Sequence, residues 1–257
     1  MTDDGLTVLG IKGKTALVSG STRGVGLAVA VALARAGANV AVNYVHNSER
    51  AEAALVRLKD FGPASVAIKA DVTREDGAIR LVQEAEAALG PVDILVNNVH
   101  GRITRTAFME SSWDEHQAHL DGILKGAYLL TRAVMDGMKS RGWGRVVNVG
   151  NNMVTKPVTG YSAYTSAMAA LIGLTRNLAA EAGPWGVTVN MVSPGFVMTE
   201  DAPHTTEAVR KAIADATPLR RLAGPDDIAG TVLFFCSDLG RFVTGANLSV
   251  DGGKTMI

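Results

Sequence analysis

The chain has 257 residues and a formal net charge of zero, with 25 basic side chains balancing 25 acidic ones. That length builds one large α/β domain with a sizeable core, and the charge balance leaves no electrostatic footprint for nucleic acid or a membrane surface. One cysteine, Cys236 after the apolar run Val232-Leu233-Phe234-Phe235, excludes an internal disulfide framework and suits a reducing, cytoplasmic compartment. Met1-Thr2-Asp3-Asp4-Gly5 lacks the basic and apolar regions of a signal peptide, and no stretch reaches the ~18 uninterrupted apolar residues of a membrane span.

The first predicted strand, residues 14–19, runs into Ser19-Gly20-Ser21-Thr22-Arg23-Gly24-Val25-Gly26, and a helix follows over 25–36, ended by Gly37. Strand, glycine turn and helix in that order read as a phosphate seat. Glycine permits the tight turn and the close approach of a phosphate, and the helix start offers free N–H groups and a positive dipole end. The spacing is G-x-x-x-G-x-G rather than the commoner G-x-G-x-x-G. The blander alternative is an ordinary β–α turn.

Further along, Asn39–Tyr44 reads as a strand and 49–61 as a charged amphipathic helix stopped by Gly62-Pro63. Ser65–Lys69 is the third strand, Arg74–Leu89 a helix ended by Gly90-Pro91, and Ile94–Asn97 the fourth strand. Residues 100–112 are polar and irregular, and a long helix is expected from Trp113 to Lys139. Arg145–Val149 is a strand, 150–160 a loop, and Tyr161–Ala182 a helix. Val187–Val192 is the sixth strand; 195–218 is the least patterned part and reads as a mobile substrate lid with a helix near 206–216. Pro225–Ser237 is a helix and Leu248–Val250 the last strand. The alternation predicts a parallel sheet with helices on both faces, and the absence of a linker or low-complexity segment predicts a single domain over 1–257.

The glycine turn, Asp71-Val72 after the third strand, Asn97-Asn98 after the fourth and Tyr164 near the start of a long helix occur in that order. Ser193-Pro194-Gly195 with Thr199, then Val250-Asp251-Gly252-Gly253, complete the series. Together they resemble the short-chain dehydrogenase/reductase family, and within it the 3-oxoacyl-acyl-carrier-protein reductases. The resemblance implies a Rossmann-type, doubly wound α/β fold and a nicotinamide dinucleotide. It places Gly20, Arg23, Gly24, Val25 and Gly26, with Ser21 and Thr22 between them, around the adenosine phosphates. Asp71 and Val72 would contact the adenine, and Asn97 and Asn98 would border the ribose. Pro194, Gly195, Val197 and Thr199 would hold the nicotinamide carboxamide and diphosphate. For Asp71 the competing reading is a helix N-cap, because Thr73 and Arg74 open a helix there. Family members assemble as homotetramers, so Ala127, Val134, Ala167, Ala170, Leu171 and Leu174 read as either interface or core; a homodimer is the smaller alternative.

A carboxylate about 20 residues beyond the glycine turn would select NAD through the ribose 2′-hydroxyl, and Asn39–Ser48 contains neither Asp nor Glu. Arg23 in the turn suits a 2′-phosphate, since its planar fork can bond two oxygens. Asn43, His46, Asn47 and Ser48 offer further hydrogen bonds. The expected cofactor is therefore NADPH, against the alternative that Arg23 is a solvated loop charge.

The chemistry departs from the resemblance. The family's usual set is Asn, Ser, Tyr and a Lys four residues after the Tyr. Here Tyr164 stands, Met168 takes the lysine position, Asn151 the serine position and Ile123 the asparagine position; Asn97-Asn98-Val99-His100 replaces Asn-Asn-Ala-Gly. A neutral tyrosine can still donate a proton, whereas a tyrosinate base has lost its lysine. Asn151 can donate to a carbonyl oxygen, and Met168 fills apolar space. Tyr161 sits where divergent enoyl reductases keep their tyrosine. His100 and Lys156 are candidate substitutes for the lysine, although each reads first as a surface or loop-packing residue. The reading is an NADPH-dependent oxidoreductase reducing a carbonyl, or an activated C=C or C=N bond, of a small or acyl-linked substrate. The alternative is a dinucleotide-binding relative with non-redox catalysis (cyclase, dehydratase or isomerase) or a regulatory subunit. No metal site is expected. Met153, Met191 and Met198 read as packing or as an adaptable pocket wall.

Overall fold

In the computed structural model, which describes residues 9–61, 63–98, 101, 103–200 and 205–256, seven short apolar runs form strands. They are β1 (Thr15–Val18), β2 (Asn39–Tyr44), β3 (Ser65–Lys69), β4 (Val92–Asn97), β5 (Gly144–Val149), β6 (Val187–Pro194) and β7 (Asn247–Val250). All pair in parallel in one sheet, ordered β3-β2-β1-β4-β5-β6-β7. The helices between them are α1 (Gly24–Arg35), α2 (Ser48–Lys59), α3 (Glu75–Leu89), α4 (Trp113–Leu120), α5 (Gly126–Arg141), α6 (Ser162–Ala182), α7 (Glu207–Asp215) and α8 (Pro225–Cys236).

Period-two alternation in the strands explains the layers. In β1, Ala16 and Val18 pack on one face with α1 and α8 residues such as Leu33 and Phe235. Leu17 points to the other face, where Leu81 of α3, Leu130 of α5 and Ala179 of α6 lie. Each such fully buried Leu or Phe contributes roughly 1.5–3 kcal/mol, so both faces hold the sheet between helical layers. A third, smaller cluster of Ile123, Ala127, Tyr164, Ala167, Met168, Leu171 and Met191 lies under the site described below. Ala127, Val134, Ala167 and Leu171 are thus core residues, while Ala170 and Leu174 remain half-buried.

Strand order reverses at β1–β4, and the crevice outside the carboxyl ends of the strands there is where ligands of such sheets bind. The expected long helix from Trp113 is not uniform. Between α4 and α5, Asp121–Lys125 forms a π-helical turn, which accommodates extra residues without ending the helix and carries Ile123 into the third cluster. The irregular 100–112 stretch includes a short 3₁₀ turn, Phe108–Glu110. The stretch expected to form a lid carries α7, and Val197 within it makes an isolated bridge to Ala223. Among the described residues, no helix is long and apolar enough to cross a membrane.

Candidate active site

From β1 the chain reverses into α1 within five residues. Gly20 (φ +56°) and Gly24 (φ +54°) take the left-handed backbone that favours glycine. At Gly26 the reason is space: a Cβ would lie 2.5 Å from Gly20 O and from Asn98 Nδ2. Ser21 Oγ donates to Val18 O (2.7 Å), and Asn98 Nδ2 donates to the Gly20 (3.0 Å) and Ser19 (3.2 Å) carbonyls. Thr22 and Val25 are half-buried and Arg23 is exposed. At the start of α1, Gly24 N donates to Glu200 Oε2 (3.2 Å). An oxyanion thus rests on the positive end of the helix, and this donor set with its close backbone approach fits a dinucleotide phosphate.

Asn43 sits apart from the solvent side of this turn. Fully buried, its Oδ1 accepts from Gly20 N (3.2 Å) and its Nδ2 donates to the carbonyls of Ala70 (3.0 Å) and Ile68 (3.3 Å). Its polar atoms tie β2 and β3 to the turn, so the expected phosphate contact does not come from this side chain. At Asp71, the Thr73 hydroxyl (2.7 Å) and amide (3.0 Å) both donate to Oδ1, holding the carboxyl below its ordinary range. Arg74, not Asp71, is the N-cap residue of α3, so the capping alternative is realised only as a local turn; Val72 beside it is buried.

Asn97 begins a buried polar chain. Its Nδ2 donates to Thr131 Oγ1 (3.2 Å) and Asn148 Oδ1 (2.8 Å); Asn148 Nδ2 donates to Thr175 Oγ1 (2.9 Å), which donates to Leu171 O (2.7 Å). Asn97 Oδ1 has no partner among the described residues, and Asn97 lines a cavity of about 10 Å³ beside Ser19 and Val149. The signal for Asn148 was a polar residue inside the apolar run of β5.

Tyr164, in the first turn of α6, is 3% exposed, and its hydroxyl makes no hydrogen bond among the described residues. Burial, with a smaller contribution from Tyr161, pushes its pKa well above the ordinary phenol range. Tyr161 packs edge-on at 6.5 Å, and Arg105 lies 5.8 Å from the Tyr161 ring centroid. Met168, one turn along α6, is fully buried among Ile123, Ala167 and Met191. Met153 is half-buried and packs on the same cluster, and Met198 N donates to Ala223 O (2.9 Å). Asn151 Oδ1 accepts from Met153 N (2.8 Å), leaving its amide NH₂ as a donor. Lys156 Nζ donates to Lys254 O (3.4 Å) from an exposed loop. His100 lies outside the described residues.

The structure brings a different histidine to the tyrosine. His119 of α4 is buried and packs edge-on to Tyr164 at 6.1 Å. Its Nε2 accepts from Thr104 N (3.4 Å) and its Nδ1 donates to Glu115 O (2.9 Å), which fixes the ring against the tyrosine. Its place four residues before Ile123, on the same helix face, was the available signal.

Pro194 ends β6, and Gly195 follows where a Cβ would lie 2.8 Å from Asp251 Cβ. Thr199 reaches the glycine turn: a Cβ on Gly24 would meet its Cγ2 at 3.4 Å. Asp251 accepts from Asn152 Nδ2 (2.8 Å), so the C-terminal Asp-Gly-Gly segment braces the loop that carries Asn151. A cavity of about 140 Å³ lies between Phe196, Ile213 and Leu219 on one side and Val250 and Lys254 on the other; Tyr164 and the glycine turn do not line it.

Residues 20–255 match the family described as enoyl-(acyl carrier protein) reductase. The chain is 38% identical over 244 residues to nodulation protein G of Azospirillum brasilense, covering 93% of this chain and 97% of that one. It is 38% identical over 245 residues to the acetoacetyl-CoA reductase of Rhizobium meliloti strain 1021 (94% and 98%). It is 34% identical over 247 residues to a 3-oxoacyl-acyl-carrier-protein reductase of Staphylococcus epidermidis (95% and 99%). A doubly substituted short-chain dehydrogenase/reductase of Serratia marcescens superposes with a TM-score of 0.87 at 32% identity, over 96% of this chain and 99% of that one. A short-chain alcohol dehydrogenase structure from Sinorhizobium meliloti 1021 gives 0.89 at 30% identity (95% and 97%). Sheet order, glycine turn and near-complete coverage agree: the chain belongs to the short-chain dehydrogenase/reductase family of oxidoreductases.

Proposed function

We propose that this oxidoreductase reduces a carbonyl, or a C=C or C=N bond polarised by one, of a small or acyl-linked substrate, with NADPH as its cofactor. The observation that carries the reading is Tyr164: a hydroxyl kept protonated by burial and free of competing hydrogen bonds among the described residues, in the first turn of α6. The names of the relatives, acetoacetyl-CoA reductase and 3-oxoacyl-acyl-carrier-protein reductase, support an acyl-linked carbonyl. The bound dinucleotide supplies hydride. Tyr164 gives its proton to the oxygen, or to the atom that becomes basic as the bond is reduced. The Asn151 amide donates a hydrogen bond to the same oxygen, in place of the family's serine.

The phosphates rest on the turn formed by Gly20, Ser21, Thr22, Arg23, Gly24, Val25 and Gly26, facing Thr199. Asp71 and Val72 border the adenine. Asn97 and Asn98 lie beside the ribose, and Pro194, Gly195 and Val197 beside the nicotinamide. Preference for NADPH is supported by Arg23 and by a β2 end without a carboxylate. Assembly as a homotetramer or homodimer through the long helices and β7 belongs to the same reading; half-buried Leu174 and exposed Leu248 support it. The lone buried Cys236 is consistent with a cytoplasmic setting.

Two measurements test the proposal: calorimetric titration with NADPH and NADH, then NADPH consumption with 3-oxoacyl thioesters, ketones, enones and imines. Tighter binding of NADPH and turnover of at least one substrate class are expected. Binding without any turnover would favour non-redox catalysis or a regulatory role, for which the apolar packing of Met168 is the motive. No binding of either dinucleotide would end the reductase reading.

A further inference from the structure

We propose that Glu200 is a built-in competitor for the dinucleotide phosphate, seated on the glycine turn and displaced when the cofactor binds. The inference rests on the reading of that turn as the dinucleotide seat.

The N-terminus of α1 has no anion of its own. Arg23 gives no side-chain cap, and the first helical turn contains no acidic residue. The carboxylate that meets Gly24 N comes instead from 176 residues away, Glu200 Oε2 at 3.2 Å. A Cβ on Gly24 would lie 3.4 Å from Thr199 Cγ2 and 3.9 Å from Glu200 Oε2, so residues 199–200 lie directly against the turn. Glu200 is exposed and so can swing into solvent without leaving a buried charge behind.

A carboxylate and a phosphate oxygen make the same demand on that N–H, and both are drawn by the helix dipole. They exclude one another by volume and repel one another by charge. Dinucleotide binding therefore requires the Glu200 carboxylate to leave Gly24 N, which makes Glu200 a residue that sets cofactor affinity without contacting the reacting atoms. Because the competing contact is exposed, its effect is modest: roughly three- to tenfold in the dissociation constant, and smaller as ionic strength rises.

The test compares wild type with Glu200→Gln and Glu200→Ala, with NADPH and inorganic pyrophosphate titrated by calorimetry at low and high salt. Amide hydrogen exchange of residues 20–27 is followed without ligand. Both variants are expected to bind NADPH and pyrophosphate about three- to tenfold more tightly at low salt, with the gain shrinking at high salt; Gly24 should exchange faster in the Ala variant. Unchanged or weaker binding of both ligands overturns the proposal, as does unchanged exchange at Gly24. Should no chain bind NADPH or NADH, the reductase reading fails, and the pyrophosphate and exchange results still decide on Glu200: a variant-specific gain supports it and equal values sink it.

Discussion

Met168→Lys restores the family's lysine one turn after Tyr164, and the structure sets its cost. Met168 is 0% exposed, packed among Ile123, Ala167, Leu171 and Met191, all apolar. A lysine there meets no carboxylate side chain among those neighbours. It must either keep an unpaired buried charge or shed its proton. Shedding it at neutral pH, from an ordinary pKa of ~10.4, costs roughly 1.36 kcal/mol per unit, or about 4–5 kcal/mol. For a chain of this size each kcal/mol corresponds to about 2–4 °C, so the melting temperature should fall by roughly 8–20 °C. NADPH binds only the folded form and, at 100 times its dissociation constant, returns about 2.7 kcal/mol. The assay is thermal unfolding of both chains with and without NADPH, followed by ketone reduction below the lower melting point. The lysine variant should melt early, regain roughly 5–11 °C with NADPH, and gain up to about 10²-fold in ketone reduction as the relay is restored. A variant that melts within 2 °C of wild type would refute the burial argument, and one that folds and binds NADPH with unaltered turnover would refute the placement of Met168 at the relay position.

Tyr164→Phe removes a hydroxyl that makes no hydrogen bond among the described residues, so melting should move by less than about 2 °C while reduction falls roughly 10²–10⁴-fold. The same variant carries a pH prediction. Because burial raises the folded-state pKa of Tyr164 above ~10, its unfolded value, the unfolded chain sheds this proton first, and stability is lost as pH rises above that value. The Phe variant should keep the stability that wild type loses there, read as a higher alkaline unfolding midpoint by circular dichroism; equal midpoints would contradict the burial of the hydroxyl. Gly26→Ala drives a Cβ to 2.5 Å from Gly20 O, a backbone atom that cannot rotate aside, so the turn must shift. A loss of about 1–3 kcal/mol and at least tenfold weaker NADPH binding are expected from melting and calorimetry, and a variant matching wild type in both would contradict the close approach.

The sheet was legible in the sequence because its signal is local. Thr15-Ala16-Leu17-Val18 sends alternate side chains to two faces, both covered, and such runs bounded by Gly and Pro define strands to within a residue or two. The π-helical turn at Asp121–Lys125 was not, because one added hydrogen-bond step leaves the run of helix-forming residues from Trp113 unbroken. Asn43 shows a signal present but outweighed. It shares strand parity with Ala41 and so points into the sheet's second face, whereas its distance from the glycine turn suggested the 2′-phosphate. The chain Asn97–Asn148–Thr175 and the Thr73 hydrogen bonds to Asp71 depend on which elements meet, or on a turn chosen over a cap. Glu200 is of the same kind: nothing near it in the sequence names Gly24 as its partner in space.

Burial of Tyr164 and loss of the lysine act on direction as well as on rate. An alcohol must lose its proton to be oxidised, and Tyr164 could accept it only as phenolate. Every unit by which burial lifts its pKa adds about 1.36 kcal/mol to forming that anion, and Met168 offers no cation to offset it. Reduction draws on the opposite form, the neutral hydroxyl, which the same burial keeps populated across the physiological range. An apolar wall where the family keeps a cation therefore favours reduction over oxidation. It also favours bonds already polarised enough to need only a proton donor, among which conjugated and acyl-linked carbonyls stand ahead of simple ketones.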